Sequence, residues 1–176
     1  SAATALTSMN AAASTKRIRV GAGGIMLPNH APIIIAEQFG TLEALFPGRI
    51  DLGLGRAPGG DGLTARALRR TLIGGEDRFP QDVLELQAML GPSEPGQRLR
   101  VVPGEGSNTL LWILGSSKFG AQLAAALGLQ FAFASHLGPP HLVSPMWILR
   151  TTFRRWVQLQ TPAEMRGFEP FSATRM

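Results

Sequence analysis

The stretch RIDLGLGRAPGG, Arg49 to Gly60, reads as a strand that runs out into glycine and then presents a single arginine. An apolar run of this length, bounded by turn residues, suits a strand buried on both faces. The glycines at its end invite a nucleotide, and the permanently charged guanidinium of Arg56 invites an anion.

Three further runs have the same character: RIRVGAGGIML over 17–27, LLWILGS over 110–116 and QFAFAS over 130–135. Helix-period stretches lie between them. Over 32–46, Ile35, Phe39, Leu42 and Phe46 recur at helical spacing, with Glu37 and Glu43 off that face. Pro32 suits the first helical position, and Gly48 follows the helix end. A second helix is predicted over 117–127, with Ser116 or Ser117 as N-cap and Gly128 at the C-cap position. Two more are read over 80–90 and 142–155, and AATALTSMNAAA makes a weaker amphipathic helix leading into the first strand. The irregular segment 91–108 is rich in Gly and Pro, with a short strand predicted at 98–102. Strand and helix alternating through short connections such as FPGRI is the pattern of a parallel α/β sheet.

Composition narrows the function classes. A chain of 176 residues suits one domain, able to bury roughly 70% of its unfolded surface. The net charge of +5 comes almost wholly from arginine, scattered among acids with no run of four basic residues, which argues against nucleic acid. Cysteine is absent, which excludes disulfides, thiolate metal sites and a cysteine nucleophile and is compatible with a cytoplasmic location. Residues 1–14 lack the basic start and apolar core of a signal peptide. The uncharged segment from Phe119 to Leu149 is interrupted by Gly128, Ser135, His136 and the Pro139–Pro140 pair, so no membrane span is predicted.

Ligands of parallel α/β folds gather at the carboxyl ends of strands. Four such ends are predicted: Gly23–Gly24, Gly55–Arg56, Gly115–Ser116–Ser117 and Ser135–His136. A dinucleotide fingerprint fails twice, because Met26 and Pro58 stand where the third glycine is needed. These glycines therefore serve either tight turns and close packing or the approach of a ligand. In LGSSKFGAQLAAALG two serines sit where a strand passes into a helix, either as a phosphate cradle or as a simple cap. Arg56 could join that cradle if its strand lies alongside; the alternative is an ion pair with Asp61 or Glu105. His136 could contact a ligand or bond a neighbour, while His30 and His141 read as loop residues. No metal-ligand spacing and no G-x-S-x-G elbow occur, and Trp112, Trp147 and Trp156 read as packing residues.

The words RIRVGAGGIMLPNHAPIIIAEQFGTLEALFPGRIDLGLGRAPGG, followed by VPGEGSNTLLWILGSSKFGAQLAAALGLQFAFASH, closely resemble the bacterial luciferase-like flavin monooxygenases, in the subgroup of luciferase family oxidoreductases. The likeness runs from about Thr15 to about His141, with 142–176 a divergent tail, and the chain reads as one partial barrel domain over 1–176. The resemblance implies a TIM (β/α)8 barrel with about strands 3–6 in this chain. It implies reduced FMN, held at the carboxyl face, reacting with O2 through a flavin hydroperoxide to oxidise a small organic substrate. A flavin reductase, or an internal reduction step, would supply the reduced cofactor.

Residue by residue, Gly23–Gly24 matches a non-prolyl cis peptide packed on the flavin ring, and Arg56 matches the arginine that holds the FMN phosphate. Gly115, Ser116, Ser117 and Gly120 match the turn that cradles it, and His136 is assigned to the substrate pocket. The family's histidine-bearing segment belongs to its first two strands, so the catalytic residues stay unknown. Over the tail, the apolar strand of the family is broken by Glu164, Arg166, Glu169 and Pro170. Four strands of an eight-stranded barrel have two open edges and an uncovered apolar interior, so such a piece is expected to dimerise, aggregate or persist as a loose open sheet, with a homo-oligomer the partner reading taken. Two alternatives accompany the monooxygenase reading: an inactive truncated flavin-binding fragment, and a relative that uses a deazaflavin.

Overall fold

The computed structural model describes residues 3–57, 78–93, 95–97 and 99–134. Helix α1 (Thr4–Ala13) leads into strand β1 (Val20–Met26), a 3₁₀ turn (Leu27–Asn29) and helix α2 (Pro32–Leu45). Strand β2 (Ile50–Gly55), helix α3 (Phe79–Leu90), strand β3 (Leu110–Gly115), helix α4 (Lys118–Leu127) and strand β4 (Gln130–Phe133) follow. The helix predicted over 142–155, and with it Ser135, His136, His141, Trp147 and Trp156, lies outside the described residues.

All three strand pairings are parallel, and the order is β1-β2-β3-β4. That order separates two α/β architectures that share one sequence pattern. A doubly wound sheet reverses its strand order at a switch point, whereas consecutive strands of a (β/α)8 barrel lie side by side. The observed sheet is of the second kind, a run of four consecutive barrel strands.

The helices take the faces that the spacing predicts. Ile35, Phe39 and Leu42 of α2 are buried, with Phe46 half-buried just past the helix end. They join Phe79, Val83 and Leu86 of α3 in a core against Leu52, Leu54, Leu111 and Ile113 of the sheet. Each such side chain contributes roughly 2 kcal/mol relative to exposure. Gly48 turns the chain back in the left-handed region at φ 72°. The Glu43 carboxylate accepts hydrogen bonds from the Gly48 and Ile50 amides, fixing the entry into β2. Arg49 fastens α1 by donating to the Thr15 carbonyl at 3.0 Å and to Thr15 Oγ1 at 2.7 Å.

The opposite set of strand residues differs in chemistry. Asp51, Gly53 and Gly55 of β2 stand beside Leu110, Trp112 and Leu114 of β3 in register. Trp112 lies there half-buried, outside the core, and its Nε1 donates to Asp51 Oδ1 at 3.1 Å.

Two expectations need correction. Residues 99–102 form no strand. The Glu105 amide bonds the Val101 carbonyl at 2.6 Å, and Gly106 and Asn108 bond Gly91 and Leu90 at the end of α3. Turn hydrogen bonds stand here in place of a strand ladder, and Val101 is buried. The second concerns Gly23–Gly24, which do not end β1. The register passes from Ala22 opposite Leu52 to Ile25 opposite Leu54, so both glycines face Gly53 in a bulge and the strand continues to Met26.

Candidate flavin-phosphate site

Parallel order puts the ends of β1, β2 and β3 on one edge of the sheet. Met26 pairs with Gly55 and Gly55 with Leu114, so Arg56 emerges one residue beyond the sheet, level with the end of β3. There the chain passes through Ser116 and Ser117 into α4. The Arg56 guanidinium carbon lies 4.6 Å from the centroid of the Phe119 ring, in the first turn of that helix. The arginine and the serine turn, 60 residues apart in sequence, therefore share one place.

The serine turn leaves its polar groups open. Ser117 occupies the N-cap position with extended backbone at φ −123° and ψ 161°, yet its side chain makes no capping hydrogen bond. Its hydroxyl is thus not spent on the helix, contrary to the simple-cap alternative, and Ser116 beside it is exposed. The first amides of a helix have no acceptor within the helix and carry partial positive charge, which suits a phosphate. At the far end Gly128 closes α4 in the left-handed region at φ 66°, as its C-cap position predicts.

The glycines divide by role. A Cβ on Gly120 would stand 3.2 Å from the Phe131 ring, so glycine there lets α4 lie close on β4. A Cβ on Gly115 would make only ordinary contact with Phe131 at 3.9 Å, leaving the turn sterically open. On Gly24 it would meet Leu114 Cδ1 at 2.5 Å and the Gly53 carbonyl at 3.1 Å, so close strand packing explains that residue. On Gly23 it would meet nothing within 4 Å, and this glycine is the one that faces open space. Among the described residues the one cis peptide is Val102–Pro103, so Gly23–Gly24 lacks the cis bond that the resemblance implies and carries the bulge instead.

Of the two ion-pair partners considered for Arg56, Glu105 belongs to Arg100, which donates from Nε at 2.6 Å and from Nη2 at 2.8 Å. Asp61, like His136, falls outside the described residues. A cleft of about 210 Å³ between Gln87, Asn108, Gly128 and Gln130 lies at the other end of the strands and takes no part in this site. No group of His, Asp or Glu among the described residues could hold a metal ion, and no helix among them is long and apolar enough to cross a membrane.

Sequence reading missed the Phe119 contact, although an apolar side chain at the second position of a polar helix start is a signal. It also missed the interactions of Asp51, the lone charge inside an apolar strand. Arg19 chiefly, with help from Trp112, holds that carboxyl below the usual carboxylate range against the opposing effect of burial.

Comparison with known proteins agrees with this architecture. The family model described as luciferase-like monooxygenase matches residues 1–146. The chain is 54% identical over 168 residues to the uncharacterized protein YvbT of Bacillus subtilis strain 168, covering 95% of this chain and 50% of that one. It is 51% identical over 165 residues to a luciferase-like monooxygenase of Escherichia coli strain K12, covering 94% of this chain and 49% of that one. The chain thus spans about half the length of the curated relatives it matches. The crystal structure of apo-MsnO8 is similar at TM-score 0.78 and 37% identity, over 85% of this chain and 45% of that chain. The oxygenating constituent of 3,6-diketocamphane monooxygenase from Pseudomonas putida, solved with FMN, is similar at TM-score 0.58 and 15% identity, over 95% of this chain and 49% of that chain, a likeness of fold alone.

Proposed function

The chain belongs to the luciferase-like monooxygenase family, and we propose that it carries the phosphate-binding part of a site for reduced FMN, in an enzyme that oxidises a small organic substrate with O2. The observation that carries this reading is the placement of Arg56 over Phe119, at the helix start whose Ser117 hydroxyl is left uncommitted.

The arrangement fits a phosphate monoester. Arg56 presents a planar fork of N–H donors suited to two phosphate oxygens at once. Ser116 and Ser117 add hydroxyl donors, and the first amides of α4 add the partial charge of the helix end. The phosphate so held would anchor the isoalloxazine ring over the bulge, where Gly23 leaves open space. Reduced FMN supplies two electrons, so that one oxygen atom of O2 enters the substrate and the other leaves as water. His136 is assigned to the substrate side of the pocket. A flavin reductase that supplies reduced cofactor, self-association and a cytoplasmic location complete the proposal.

The test is a titration of the purified chain with FMN, riboflavin and the deazaflavin F420, followed by flavin fluorescence. FMN bound more tightly than riboflavin, with the preference lost in Arg56→Ala and in the Ser116→Ala/Ser117→Ala double variant, supports the site. Equal and weak binding of FMN and riboflavin overturns it. F420 bound in preference to FMN assigns the site to a deazaflavin.

A further inference from the structure

We infer that Phe119 is a positioning residue for Arg56, and that its ring sets how strongly the site distinguishes a phosphorylated flavin from an unphosphorylated one. The inference rests on the reading of the serine turn as a phosphate cradle and adds a residue to it.

Arg56 leaves β2 at the exposed edge of the sheet, and its long side chain would sample many rotamers in water. Glu105 is occupied by Arg100, so it does not hold Arg56. Among the described residues the guanidinium meets the Phe119 ring, 4.6 Å from centroid to guanidinium carbon, within the distance at which the ring quadrupole attracts a cation. Phe119 itself is 38% exposed, so its ring is accessible to the guanidinium at the surface. It stands two residues after the N-cap Ser117, in the turn whose amides would meet the phosphate. A guanidinium lying flat on the ring would keep its N–H edge free, because the ring would then engage only the face of the plane. The ring thus holds the cation at the cradle while leaving its donors available. Part of the ordering cost of ligand binding is met before the ligand arrives.

The contact is specific in what it affects. Riboflavin lacks the phosphate and gains nothing from a positioned Arg56. Loss of the ring should therefore weaken FMN binding and leave riboflavin binding unchanged. An exposed cation–π contact corresponds to about a threefold change in affinity.

The experiment measures FMN and riboflavin affinities for the purified chain and for Phe119→Leu, Phe119→Met and Phe119→Tyr, each checked for an unchanged thermal midpoint. The inference expects the FMN-to-riboflavin preference to fall about threefold in the leucine and methionine variants and to be retained in the tyrosine variant. It also expects Phe119→Leu to have no further effect on FMN once Arg56 is alanine, since the two act as one unit. A preference unchanged in both aliphatic variants overturns the inference while leaving the cradle intact. So does an equal loss for FMN and riboflavin, which would mark Phe119 as a packing residue only. Absence of any FMN preference in the parent chain overturns the cradle and this inference together.

Discussion

Arg19 grips Asp51 across the β1–β2 pairing with two hydrogen bonds, Nε to Oδ2 at 2.9 Å and Nη2 to Oδ1 at 2.8 Å. Trp112 adds a third from β3, so one carboxylate ties the entry of β1 to both β2 and β3. Because the Asp51 pKa is lowered in the fold, the unfolded chain binds more protons in the window between the two values. The stabilisation is complete above the ordinary carboxylate value of about 4 and is lost as pH falls through the lower folded value. Asp51→Asn is expected to cost about 1 kcal/mol near neutral pH, since Arg19 is half-exposed and solvent screens the pair. Urea midpoints of parent and variant should converge in acid. A gap that stays constant down to pH values well below the carboxylate range would sink the linkage.

The bulge glycines should respond differently to alanine. Gly24→Ala pushes a methyl group against Leu114 and the Gly53 carbonyl, for which roughly 1–3 kcal/mol of lost stability is expected. Gly23→Ala meets nothing within 4 Å and should leave the thermal midpoint nearly unchanged. Under the proposed function it should nonetheless weaken FMN and riboflavin alike, because it adds bulk where the ring would lie. A Gly23→Ala variant that binds both flavins normally would remove the ring from that place.

Gly40 permits α2 to touch the 101–106 turn, where a Cβ would run into the backbone of Gly104. Alanine is better than glycine inside a helix by roughly 1 kcal/mol, but here the clash is with backbone that has little room to yield. Gly40→Ala is therefore expected to lower stability by about 2 kcal/mol, read as the urea midpoint. A stabilised variant would mean that helix propensity outweighs the contact.

Ser117 gives a sharper separation. A serine that caps its helix costs about 1 kcal/mol when replaced by alanine. Its side chain makes no such bond here, so Ser117→Ala should change stability by less than about 0.5 kcal/mol. The same variant should weaken FMN relative to riboflavin. A loss of stability without a change in flavin preference would restore the simple cap.

Arg56→Ala is the largest expected effect on the site. Loss of a charged phosphate contact should cost on the order of 2 kcal/mol in FMN affinity, with riboflavin as the unaffected control. Equal loss for both flavins would show instead that Arg56 supports the fold of the strand end.

Much of this molecule was legible before any coordinates. Pro32, Gly48 and Gly128 punctuate their helices as residue type dictates, because a fixed φ and a left-handed φ are local properties. The four strands appear at the four apolar runs, since burial on both faces leaves a continuous apolar signature. The wording of the motifs also carried the family, which the match over residues 1–146 shows. The alternating pattern by itself did not give strand order, because it serves both a doubly wound sheet and a barrel; the resemblance implied the barrel, and the long-range pairing agrees with it. The bulge at Gly23–Gly24 was hidden for the same reason, as register is a relation between two strands and not a property of one. The partners of Asp51 and the placement of Arg56 over Phe119 likewise join residues brought together only by the tertiary fold. Sequence determined which residues could serve an anion; side-by-side packing of β2 and β3 decided that the arginine and the helix start meet.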